Sequence, residues 1–86
     1  FQERKNYNIA LKIARYYYEV KDYDNAIKWS KTANSIDKTD DESWIIYAKS
    51  LYAKKDYKKA KKILEIYTQF ENSTNVAKIL SEWSDK

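Results

Sequence analysis

Lys21-Asp22-Tyr23-Asp24-Asn25-Ala26-Ile27-Lys28 recurs 34 residues later as Lys55-Asp56-Tyr57-Lys58-Lys59-Ala60-Lys61-Lys62. The segments upstream correspond as well, with Ile13-Ala14-x-x-Tyr17 matching Tyr47-Ala48-x-x-Leu51. A period of this length marks one supersecondary unit that cannot bury its apolar face alone and so stacks on its neighbour. The chain contains no Gly and no Pro. It therefore has no residue at ease with positive φ and few helix breakers, which favours helices over hairpin-rich sheets. Stacked helical hairpins make binding scaffolds more readily than catalysts.

Hydrophobic spacing divides the 86 residues into five helices of one small domain. The first spans about 3–20 and aligns Ile9, Ala10, Ile13, Ala14 and Tyr17 on one face. Asp22 is placed to cap the second, about 24–36, which turns Tyr23, Ala26, Ile27, Ser30 and Ala33 inward. Thr39 and Glu42 fit a capping box for the third, about 41–54, with Trp44, Tyr47, Ala48 and Leu51 inward. The fourth spans about 58–71, with Tyr57, Ala60, Ile63, Leu64 and Tyr67 inward. Ser73 or Thr74 caps a shorter fifth carrying Val76, Ile79, Leu80 and Trp83. Connections of two to five residues make sequential helices antiparallel neighbours. Ala14 faces Ala26 at the first crossing, and Ala48 faces Ala60 one period later.

Composition narrows the chemistry. With no His and no Cys, the commonest general base, thiol nucleophile and transition-metal ligands are missing, and no cofactor or metal is expected. Without Gly there is no phosphate-cradling loop. The acidic group Asp37, Asp40, Asp41 and Glu42 lacks the ligand spacing and mid-loop Gly of an EF-hand, and reads as a solvated helix start. The longest uncharged runs, such as residues 43–48, are far too short to span a bilayer. The chain opens on Phe1 and has no Met, which reads as a segment of a longer protein.

Charge is modestly basic, with 17 Lys and Arg against 13 acids. Arg4 and Arg15 are the only arginines, whereas phosphate recognition favours the planar guanidinium fork. Lys54, Lys55, Lys58, Lys59, Lys61 and Lys62 form the densest basic run. A nucleic-acid or anionic-surface site is one reading of it. The wet outer face of the fourth helix is the reading favoured here, because the lysines leave the stripe of Ala60 and Ile63 intact.

These residues resemble the tetratricopeptide repeat family, whose 34-residue pattern is W-x2-L-G-x2-Y, a G-x-Y turn, then A-x3-F-x2-A and a final Pro. The first copy, about 7–40, supplies Ala10, Ile13, Ala14, Tyr17, Tyr23, Ala26, Ser30 and Ala33. The second, about 41–74, supplies Trp44, Tyr47, Ala48, Leu51, Tyr57, Ala60, Leu64 and Tyr67. Lys21 and Lys55 replace the turn Gly, while Lys38 and Asn72 stand where Pro is common. Tyr67 replaces a small residue that normally admits the next hairpin, so the helix at about 75–84 is expected to be an end cap.

The resemblance implies an all-α, right-handed stack of antiparallel hairpins acting as a protein–protein interaction module within a larger scaffold. Its inner helices would line a groove exposing Leu11, Arg15, Tyr18, Ile45, Lys49 and Tyr52. Such a strip suits an acidic or amphipathic peptide, with nucleic acid disfavoured as partner. A structural spacer that self-associates through its ends is the other reading. Co-chaperone members clamp a carboxylate with Lys, Asn and Arg, but the matching places here hold Leu11, Arg15, Ile46, Val76 and Leu80, so that clamp is absent.

Overall fold

Alanines decide where the helices cross. Ala14, Ala26, Ala48 and Ala60 each have no solvent exposure, and their small methyl side chains let neighbouring backbones approach where a larger residue would force strain. A computed structural model describes residues 2–84, with side chains from Lys5 to Ser84. It holds five helices: α1 (Gln2–Glu19), α2 (Tyr23–Ile36), α3 (Asp41–Ala53), α4 (Tyr57–Thr68) and α5 (Thr74–Ser84). No strand occurs among the described residues, and none of their helices is long and apolar enough to cross a membrane. Phe1, Asp85 and Lys86, the ends of the expected single domain, lie outside the described residues. The stack measures 40 × 28 × 16 Å.

The two hairpin turns are copies of one another. After α1, the Asp22 N–H donates to the Tyr17 carbonyl at 2.8 Å and the Lys21 N–H to the Tyr18 carbonyl at 3.1 Å. After α3, Asp56 and Lys55 make the same bonds to Leu51 and Tyr52, each at 2.9 Å. This six-to-one and five-to-two pairing is a Schellman motif, which needs a left-handed residue just past the helix. Lys21 (φ 64°) and Lys55 (φ 71°) occupy that position. Asp22 and Asp56 then serve the next helix, accepting from the Asn25 and Lys59 backbone N–H groups. One tripeptide thus ends one helix and starts the next.

Other boundaries differ from the sequence reading. The cap of α3 is Asp40, whose carboxylate accepts from the Glu42 N–H at 3.2 Å. Thr39 does not complete a capping box, because its hydroxyl donates to Asp37 at 2.7 Å. The Glu42 side chain instead reaches across to Arg15. Helix α4 ends at Thr68, three residues earlier than expected, in overlapping bonds from Gln69, Phe70 and Glu71 back to Ile66 and Tyr67. Ser73 caps α5 by accepting from the Val76 N–H, and its hydroxyl donates to Asp41 at 2.5 Å, tying the start of α5 to the start of α3.

Two apolar clusters follow the repeats. The first joins Tyr7, Ala10, Leu11, Ala14, Ala26, Ala33 and Ile46. The second joins Tyr47, Ala48, Leu51, Ala60, Leu64, Tyr67, Val76 and Trp83, with Ile79 and Leu80 packed against it. Helix α5 therefore covers the face beside Leu64 and Tyr67. The face of α1 is rotated from expectation: Tyr7 and Leu11 point inward, while Ile9 is 49% exposed. Tyr57, expected inside, is 48% exposed and sets its ring edge-on to Tyr52 at 4.7 Å. Tyr67 does face inward, and its hydroxyl donates to the Thr39 carbonyl at 2.6 Å. Burial first, and then nearby carboxylates led by Asp41, push its phenol up to about 12.

Candidate partner groove

Helices α1, α3 and α5 pack side by side as an inner layer, while α2 bridges α1 and α3. Helix α4 lies against α3 and α5. The inner layer leaves two adjoining depressions. The first, about 230 Å³, is lined by Tyr18, Lys49, Tyr52, Ala53, Ile79, Glu82 and Trp83. The second, about 310 Å³, is lined by Ile45, Lys49, Asn75, Lys78, Ile79 and Glu82. Lys49, Ile79 and Glu82 border both and form the ridge between them.

Aromatic packing shapes the first depression. The Tyr52 ring stacks on Trp83 with centroids 4.4 Å apart and planes 12° from parallel. Tyr18, on the opposite wall, meets Tyr23 edge-on at 5.8 Å. Burial, with a smaller contribution from Tyr23, pushes the Tyr18 phenol above its ordinary value. Each inner helix thus contributes one ring at the same end of the groove. The half-buried Tyr18 and Tyr52 offer apolar ring surface with hydroxyls at their edges, backed by the buried Trp83, a surface suited to a partly apolar side chain.

The six sequence-predicted groove residues divide. Tyr18, Ile45, Lys49 and Tyr52 come together along the two depressions. Leu11 does not: it is 6% exposed and belongs to the cluster containing Ile46, because neighbouring inner helices bury the large apolar residues on their shared seam. Arg15 lines neither depression and forms a 2.5 Å ion pair with Glu42, linking α1 to α3. Tyr52 also packs against the second cluster, so it belongs to both core and groove.

Asn75, Lys78, Ile79, Glu82 and Trp83 form the α5 wall, which the sequence reading did not assign to the groove. Their three- and four-residue spacing was visible. The 34-residue period would also have found Ile79 and Trp83, as the equivalents of Ile45 and Lys49, whereas Asn75, Lys78 and Glu82 are placed by how α5 docks.

The basic run lies elsewhere. Lys58, Lys59 and Lys62 are exposed on α4, while Ala60 and Leu64 are buried beneath them. Lys54 pairs with Asp24, fastening the end of α3 to the start of α2. These lysines form the outer face of the stack and do not reach the groove.

A family model described as anaphase-promoting complex, cyclosome, subunit 3 matches residues 1–80. No curated protein and no solved structure gives a significant match. The matched family is of the tetratricopeptide type, in agreement with the repeat period, the buried alanine crossings and the paired turns. With nearly its whole length matched, the chain belongs to the anaphase-promoting complex, cyclosome, subunit 3 family of tetratricopeptide-type repeats.

Proposed function

We propose that this chain is a protein–protein interaction module that seats a short segment of its partner in the groove of α1, α3 and α5. Membership of a tetratricopeptide-type family supports protein partners, and the family description names a subunit of a multiprotein complex. The observation that carries the groove assignment is the set of three rings, Tyr18, Tyr52 and Trp83, beside the exposed Lys49. Among the described residues, no helix covers this opening. The test begins with a phage-displayed random 12-residue library selected on the immobilised native chain. Ala53→Tyr, at an exposed position on the rim, should weaken the enriched peptides at least tenfold by filling the first depression. Changing Lys58, Lys59, Lys61 and Lys62 together to Gln should alter affinity less than twofold. The reverse pattern, with a steep loss of affinity in salt, would move the site to the basic outer face.

A second reading has its own observation. Ile9, Ile13, Tyr16 and Val20 recur at four, three and four residues on α1, and three of them are 49%, 59% and 53% exposed in the order Ile9, Tyr16, Val20. An apolar stripe of this kind suits end-to-end association of repeats. Sedimentation tests it: concentration-dependent association abolished by Tyr16→Glu supports the reading, and a monomer at all concentrations excludes it.

A further inference from the structure

The two depressions differ in chemistry. The first has aromatic walls from Tyr18, Tyr52 and Trp83, whereas Lys78 and the Asn75 amide line the second alone, beside Ile45; Lys49 and Glu82 border both. Lys49 and Lys78 are exposed, and neither makes an ion pair among the described residues. Both walls set the same offset between the depressions. On α3 the lining moves from Ile45 and Lys49 to Lys49, Tyr52 and Ala53, and on α5 from Asn75, Lys78, Ile79 and Glu82 to Ile79, Glu82 and Trp83. A shift of three to four residues corresponds to roughly 5–6 Å at the helical rise.

We propose that the groove reads a two-part segment: a large apolar side chain in the first depression and an Asp or Glu side chain in the second. This rests on the groove being the partner site. The offset matches side chains three or four apart on a helix, or alternate side chains of an extended segment. Lys78 and the Asn75 amide give the site direction, because they line the second depression alone. Glu82 stands with Lys49 on the ridge between the two, so a carboxylate is best received at the Lys78–Asn75 end, farthest from it along the groove. Charge pairing of this kind governs register and partner choice more than total affinity.

The experiment uses the peptides enriched on the native chain, remade synthetically and measured by fluorescence anisotropy. The expected consensus pairs Phe, Trp, Tyr, Leu, Ile or Met with Asp or Glu two, three or four positions away, always on the same side. Replacing that acid by its amide should weaken binding at least fivefold. The protein variant Lys49→Gln/Lys78→Gln should bind the acidic peptide at least fivefold more weakly and discriminate little between the acidic and amide forms. Because the amide substitution is made in the peptide, the result does not depend on a protein variant folding. If Ala53→Tyr abolishes binding while the amide peptide binds as well as the acidic one, the groove stands and the acidic subsite is overturned. If neither Ala53→Tyr nor the lysine changes affect binding, or no peptide is enriched, the groove assignment falls and this inference with it.

Discussion

Truncating Tyr52 to Ala tests whether α5 is locked to the inner layer by ring stacking. Tyr52 lies between Trp83, stacked at 4.4 Å, and Tyr57, edge-on at 4.7 Å. Removing a fully buried large aromatic costs about 3–5 kcal/mol. Tyr52 is only half-buried, which scales that figure to about 2 kcal/mol, and the lost ring pairs raise it toward about 3 kcal/mol. For a domain of this size 1 kcal/mol moves the melting temperature by about 4–8 °C, so thermal circular dichroism should show a fall of about 10–20 °C. Tyr52→Phe keeps the rings and should melt within a few degrees of the native chain. A double-mutant cycle with Trp83→Ala should give a coupling of about 0.5–1.5 kcal/mol. An unchanged melt for Tyr52→Ala, or no coupling, would refute the stacked attachment of α5.

Ala26→Leu and Ala60→Leu should each overpack a crossing and lower stability by about 1–3 kcal/mol in urea titrations; native-like stability in both would contradict the alanine contacts. Lys21→Gly and Lys55→Gly relieve a left-handed side chain but loosen the unfolded chain, so each should lie between neutral and about 1 kcal/mol more stable. Clear destabilisation at both would mean that the lysines serve another purpose. Raising the pH from 10 to 12 should destabilise the fold, because the unfolded Tyr67 phenol ionises first while the folded one holds its proton to about 12. Tyr67→Phe should reduce that alkaline fall in melting temperature, and an identical pH profile would show that Tyr67 is not responsible.

The repeat was legible because its signals agree at several levels. Period, small residues at Ala14, Ala26, Ala48 and Ala60, and paired turns all describe one hairpin copied once. The positive φ at Lys21 and Lys55 was also legible, since each stands where the family pattern places Gly. Rotation of individual helices was less so. On α1, Ile9 and Ile13 compete with Tyr7 and Leu11 for the inward face, and the stripe that meets both α2 and α3 is the one buried. Thr39 matched a capping box, but Asp40 one residue later supplied the stronger acceptor and Glu42 had a better partner in Arg15. The groove was half legible. Tyr18, Ile45, Lys49 and Tyr52 follow from repeat register, and so do Ile79 and Trp83, which stand 34 residues after Ile45 and Lys49, whereas Asn75, Lys78 and Glu82 have no groove equivalent in the earlier repeat.

The central claim is that partner segments bind between α1, α3 and α5. It is tested most directly by titrating the tightest enriched peptide into the native ¹⁵N-labelled chain and following the backbone amide shifts. Saturable changes concentrated at Tyr18, Ile45, Lys49, Ala53, Ile79 and Glu82, with Lys58, Lys59 and Lys62 unmoved, are the predicted result. Shifts confined to the α4 lysines, or to Ile9, Tyr16 and Val20 on α1, would contradict it.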